Sequence, residues 1–196
     1  MRKIILVLAI LCGMLLTFIV SCNNADTKKE TGNTAISNDS LIKRGEYLVA
    51  IAGCDDCHTP KKMGSMGPEP DMEKRLSGYR SGVPLPAVDT NVIKSGWALA
   101  NAELTGWVGP WGASFSANLT SDETGIGNWT EDQFKKAITQ GKWKGMDGSR
   151  SLMPPMPWQD FSHFTDEDVK AIFTFLKSTK PVKNIEPAVK SFAELK

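Results

Sequence analysis

Apolar positions fall into two regimes along the chain. From Ile4 to Val20 they form one uncharged run, and beyond it they recur in separate stretches of helical period. The first stretch puts Leu41, Leu48 and Ile51 on one broad face with Tyr47 beside it. It predicts a helix from Leu41 toward Gly53, capped by Asp39 or Ser40. The second carries Phe134, Ala137 and Ile138 at core spacing, opened by a Thr130/Gln133 capping box and ended by Gly141. The third runs Val169, Ile172, Phe173, Leu176; Thr165 opens it, Asp168 takes the capping-box position and Pro181 closes it. Residues 59–115 show no clear period, are rich in Pro and Gly, and hold Trp97, Trp107 and Trp111. They predict a long loop with a short helix around 71–76, an unusual length of irregular chain for a compact domain. The whole pattern predicts an all-α domain over residues 40–184 and a C-terminal tail over 185–196, with no internal repeat.

The leading run is not part of that domain. Arg2 and Lys3 precede it, and Ile19-Val20-Ser21-Cys22 closes it. A basic start and an apolar core are a secretory signal, and a small residue directly before cysteine resembles a bacterial lipoprotein signal. Residues 1–21 would then be removed, Cys12 with them, and Cys22 would carry lipid. The alternative is an uncleaved anchor at the short limit of spanning length. Either way the rest of the chain lies outside the cytoplasmic membrane. Residues 22–39 are polar and read as a flexible tether; a random coil over 23–38 reaches about 20–24 Å.

Composition narrows the function classes. The 196 residues suit one domain with tails, and 41% hydrophobic content suffices for a modest core. The formal charge is +1, falling to −1 if Arg2 and Lys3 are lost, which gives no reason to expect nucleic-acid binding.

The first chemical signal is Cys54-Asp55-Asp56-Cys57-His58, the spacing of c-type haem attachment. Two thiols so spaced can each add to one haem vinyl group, and the adjacent imidazole can bind iron from below. A thioredoxin-like redox pair does not require the histidine, and a zinc site would want four ligands from a set holding only Cys54, Cys57, His58 and the distant His163. Asp55 and Asp56 acquire no role from the sequence. The second signal is Leu152-Met153-Pro154-Pro155-Met156-Pro157-Trp158, where prolines stiffen the backbone on both sides of Met156. Such a loop suits a thioether held against a metal, with Met153 and His163 as the competing ligands. Lys135, Lys136, Lys142 and Lys144 read as a solvated face or as part of a docking surface for an acidic partner.

With these residues in view, the region from Gly45 to about Asn184 resembles a bacterial class I cytochrome c. It is most similar to the cytochrome c subunits and partners of membrane-associated dehydrogenases. The matching stretches are Gly45-Glu46-Tyr47-Leu48, Cys54 to Thr59, Asn118 to Trp129, Leu152 to Trp158 and Thr165 to Ile172. The resemblance implies one covalent haem c, His58 as proximal ligand and Met156 as distal ligand. It implies that the carbonyl of Pro68, or of Pro70, holds the proximal imidazole. It places Asn118 and Trp129 near the haem or its propionates, and leaves Arg75, Arg80 and Arg150 as possible propionate partners. The first and last helices are expected to cross, with Gly45 close to Phe173 or Leu176. The chain carries one such motif where related cytochromes often carry two, and its segment before Asn118 is longer. The function expected is single-electron carriage between redox proteins (a dehydrogenase, an oxidase or another cytochrome) at the periplasmic face of a membrane. The alternative is a peroxidase-like or sulfur-oxidising haem enzyme, which needs a displaceable sixth ligand.

Overall fold

The computed structural model describes residues 37–195. The expected signal, the lipidated Cys22 and most of the tether lie outside the described residues, and among those described no helix is long and apolar enough to cross a membrane.

Three helices form the frame. α1 (Asn38–Ile51) starts earlier than its apolar period suggests, because Ser37 is the cap: the Ser40 N–H donates to its hydroxyl at 3.3 Å. A five-residue turn of helix, α2 (Cys54–His58), follows almost at once. Far along the chain, α4 (Glu131–Gln140) carries the complete Thr130/Gln133 capping box, and α6 (Asp166–Ser178) starts at Thr165, whose hydroxyl accepts from the Asp168 N–H. α6 crosses α1, and the crossing depends on Gly45. A Cβ there would sit 2.0 Å from the Ala171 carbonyl oxygen and 2.7 Å from the Phe175 Cβ. The close approach therefore falls at Ala171 and Phe175 rather than at Phe173 or Leu176. Around it lies the main core, with Leu48, Val49, Val169, Ile172 and Leu176 joined by Phe134, Ile138 and Ile126.

The domain is not all-α. The stretch expected to be a loop folds β1 (Lys61–Gly64) against β2 (Gly67–Pro70) as an antiparallel hairpin. After α3 (Thr90–Lys94) comes an antiparallel sheet of β3 (Leu99–Ala100), β4 (Gly106–Gly109) and β5 (Gly112–Phe115), in that order. None exceeds four residues, so no alternation long enough to register appears in the sequence. The expected short helix near 71–76 is a 3₁₀ turn, Met72–Lys74. α5 (Trp158–Phe161) completes the helices.

The sheet brings its own small core of Ile93, Val108 and Ala113, closed by the end of the chain. Lys190 exchanges both backbone bonds with Ala113, at 2.8 and 3.0 Å, and Phe192 and Leu195 pack on this core. The segment expected to be an irregular tail or a short terminal helix is thus a strap that ends in a 3₁₀ turn, Phe192–Leu195. Two asparagines fasten it: Asn184 donates to the carbonyls of Ser77 and Tyr79, and Asn118 donates to those of Val182 and Asn184.

Gly45→Ala should lower unfolding stability by about 1–3 kcal/mol, because helix backbone rather than a flexible side chain blocks the added methyl. Urea denaturation followed by helical circular dichroism would show a lower midpoint at unchanged slope.

Candidate functional site

α2 carries the haem-attachment motif. Gly53, in the left-handed conformation (φ +70°), turns the chain out of α1 and sets Cys54, Cys57 and His58 on one short turn. Five residues cannot hold a helix alone, so neighbours must hold it. Lys61 donates its ammonium to the carbonyls of Asp56 at 2.7 Å and Thr59 at 2.6 Å, closing the turn's C-terminal end. The His58 carbonyl accepts from the Gly78 N–H at 2.7 Å.

His58 is buried, and its Nδ1 lies 2.7 Å from the Ala117 carbonyl oxygen. A carbonyl only accepts, so Nδ1 carries the proton and Nε2 keeps a free lone pair, the tautomer a metal-binding imidazole needs. Burial pushes the imidazole pKa below its usual value, more than the Ala117 bond raises it, so the ring is neutral at pH 7. The resemblance implied Pro68 or Pro70 for this carbonyl; both are instead exposed in β2, Pro68 paired with Met63 and Pro70 with Lys61. No sequence signal marks Ala117, because the group that acts is backbone.

Burial, and then the Asp55 carboxylate, push the Cys54 thiol up to about 12; burial and Asp56 raise Cys57. Both are thiols at neutral pH, the opposite of a nucleophilic or metal-seeking cysteine pair.

Met156 is half-buried in the loop ahead of α5. The Leu152 N–H donates to the Gly141 carbonyl at 2.6 Å, and the Ser114 hydroxyl donates to the Pro154 carbonyl at 2.6 Å. Ser114 therefore anchors the methionine loop while Ala117, three residues on, anchors His58. That length of chain spans at most about 11 Å. One extended segment thus positions both expected ligands. Met153 shares the loop and is equally half-buried. His163 is exposed and its ring bonds the Asp160 carbonyl at 3.1 Å, a surface capping role.

The remaining expected site residues have defined surroundings. Asn118 is buried; its amide oxygen accepts from Thr120, and its N–H groups go to the strap. Trp129 packs at the edge of the main core. Arg75 pairs with Asp55 and Glu46, and Arg80 with Asp71 and Glu103. Arg150 stacks over Trp143 at 5.0 Å and has no carboxylate partner among the described residues. Lys135, Lys136 and Lys142 pair with Asp166, Asp132 and Asp147, so much of the basic face is neutralised by the chain itself.

These residues fit a haem. The donor set offers two neutral thiols, an imidazole with a free Nε2 and a tethered thioether. Two buried donors, the Tyr79 hydroxyl and the Trp107 indole N–H, have no acceptor among the described residues. Burying such a donor unpaired costs about 1–3 kcal/mol, and a haem's carboxylate edge is chemistry that would satisfy it.

Asp55 gives the site a pH signature. Burial alone would raise its carboxyl pKa, but hydrogen bonds from Arg75 and Thr59 and the charges of Arg75 and Lys61 outweigh that and hold it below the usual range. Its contribution to stability is complete above the unfolded value, near 4, and disappears as pH falls through the lower folded value. Thermal melts between pH 7 and 3 should therefore lose midpoint more steeply for wild type than for Asp55→Asn. Parallel curves would exclude this assignment.

No protein-family model matches the chain. Over 148 residues it is 31% identical to the gluconate 2-dehydrogenase cytochrome c subunit of Pantoea cypripedii, covering 74% of this chain and 25% of that one. It is 32% identical over 148 residues to the cytochrome c subunit of a quinone alcohol dehydrogenase from Gluconobacter oxydans, covering 74% and 23%. It is 27% identical over 177 residues to the fructose dehydrogenase cytochrome subunit of Gluconobacter japonicus, covering 89% and 29%. The chain thus spans about a quarter of the length of the curated relatives it matches. As its motifs indicated, the chain resembles the cytochrome c subunits of dehydrogenases.

Proposed function

We propose that the chain binds one haem c through Cys54 and Cys57, ligates its iron with His58 and Met156, and carries single electrons between redox proteins. The observation that carries this reading is the buried His58, fixed by Ala117 with Nε2 free, on a turn that also presents two neutral thiols. The similarity to cytochrome c subunits supports it independently. When bound, the haem supplies the one-electron chemistry; the protein's task is to fix and shield it. Ala117 holds the imidazole proton and so strengthens Nε2 as a donor. The methionine loop, pinned by Ser114, holds a thioether with little freedom to swing away. Iron held by both His58 and Met156 would have a raised potential and no place for a substrate, so the role is electron carriage rather than catalysis. Trp129 and Asn118 serve the site by packing and by fastening the strap beside it. The partners proposed are a dehydrogenase and an acceptor at the periplasmic face of a bacterial membrane. Lipid on Cys22 would keep the domain there on its tether.

The purified protein should contain one covalent haem by the pyridine haemochrome assay and be low-spin in both oxidation states, with a methionine–iron charge-transfer band when oxidised. Met156→Ala should abolish the band, and Met153→Ala should leave it. The reverse result would reassign the ligand, and rapid carbon monoxide binding to the reduced wild type would sink the carrier reading.

A further inference from the structure

The residues between the two cysteines are free of any duty in the attachment chemistry, yet Asp55 is the most heavily bonded side chain of α2. Arg75 grips it with two parallel bonds, Nε to Oδ1 at 3.0 Å and Nη2 to Oδ2 at 2.9 Å. The Thr59 hydroxyl donates to Oδ1 at 2.8 Å and itself accepts from the Leu76 N–H at 2.9 Å. The third arm of Arg75 reaches Glu46 on α1 at 3.0 Å, and the guanidinium lies over the Phe175 ring of α6 at 5.3 Å. One pair of side chains therefore ties the attachment turn to both crossing helices and to the 75–80 segment. That segment is itself strained: Leu76 is fully buried at φ +62°, a conformation unusual for leucine.

The pair is only a quarter exposed on either side. A fork this well aligned and this poorly solvated is held more firmly than a surface ion pair. It also places two opposite charges beside the thiols. A lone carboxylate there would favour ferric over ferrous iron, and a lone guanidinium would do the reverse, since net charge near a haem is one of the protein's controls on its potential.

We propose that Asp55 and Arg75 form a charge-compensated lock, which positions the Cys54–His58 turn and keeps either charge alone from setting the haem potential. Both are positioning residues, acting on the electron transfer through the turn they hold. The proposal rests on the reading of Cys54, Cys57, His58 and Met156 as a haem c site.

The test is a redox titration of the holoprotein and its variants at fixed pH and low ionic strength. Asp55→Asn, which keeps the shape and removes the charge, should raise the potential. Arg75→Gln should lower it. Each should shift the ferrous/ferric ratio at a fixed applied potential by about three- to tenfold, a tenfold change being 59 mV for a one-electron couple. The double variant should return close to wild type, and Arg75→Lys, which keeps charge but loses the fork, should keep the potential while lowering the melting midpoint. A pair with only a structural duty would cost stability without opposite-signed shifts, and equal or same-sign potentials overturn the lock. Asp55→Asn decides the matter alone if Arg75→Gln does not fold. Wild-type protein without covalent haem would instead defeat the reading of the site, a result visible before any variant is made.

Discussion

A single hydrogen bond, from His58 Nδ1 to the Ala117 carbonyl, sets the chemistry of the site and the placement of the chain around it. It fixes the imidazole tautomer and ties α2 to the segment that follows β5. β5, from which that segment runs, is itself tied down: at Ser114 it is bonded to the methionine loop, and at Ala113 to the terminal strap. Burying the imidazole without this acceptor would leave a polar group unpaired, so the path of residues 112–118 is as constrained as α2 itself. The two expected ligands are thereby referred to one backbone.

The rest of the fold keeps that backbone in place. The α1–α6 crossing closes the main core on one side, and Gly45 allows the helices to meet at backbone distance. On the other side the strap is tied through Asn184 to Ser77 and Tyr79, next to the Gly78 N–H that holds the His58 carbonyl, and then pairs with β5 at Lys190. The chain's last residues and its attachment motif are therefore joined through a few bonds, although well over a hundred positions separate them in sequence.

The parts of this arrangement legible in the sequence are those that side chains encode locally. Caps at Thr130 and Thr165 and the apolar faces of α4 and α6 were all visible, because the period and the cap are properties of neighbouring residues. The strands were not, since pairs of two to four residues are specified by what they pair with. The strap was invisible for the same reason: Phe192 and Leu195 look like stray apolar residues until Val108 and Ala113 are beside them. Within the site, Cys54, Cys57 and His58 could be read as chemistry, whereas Ala117 could not, because its backbone oxygen acts and no residue type encodes that. Asp55 lacked a role until Arg75, twenty positions away, was seen to grip it.

The distribution of charge bears on how such a domain meets a partner. The lysines around α4, which by sequence suggested a basic docking face, are largely paired with the protein's own carboxylates. Exposed pairs of this kind contribute little to stability, but they do cancel the long-range field that would steer an acidic partner. Several large apolar side chains remain exposed, among them Tyr47 and Ile51 on α1 and Met63 and Met66 on the β1–β2 hairpin. A domain with this surface and a formal charge near zero gains little from electrostatic attraction at a distance. The tether proposed for residues 22–39 would do the same work differently, by raising the local concentration of a partner on the same membrane without any charge. With the lysine face neutralised, the proposed lipid anchor would bring redox partners together by proximity rather than by charge.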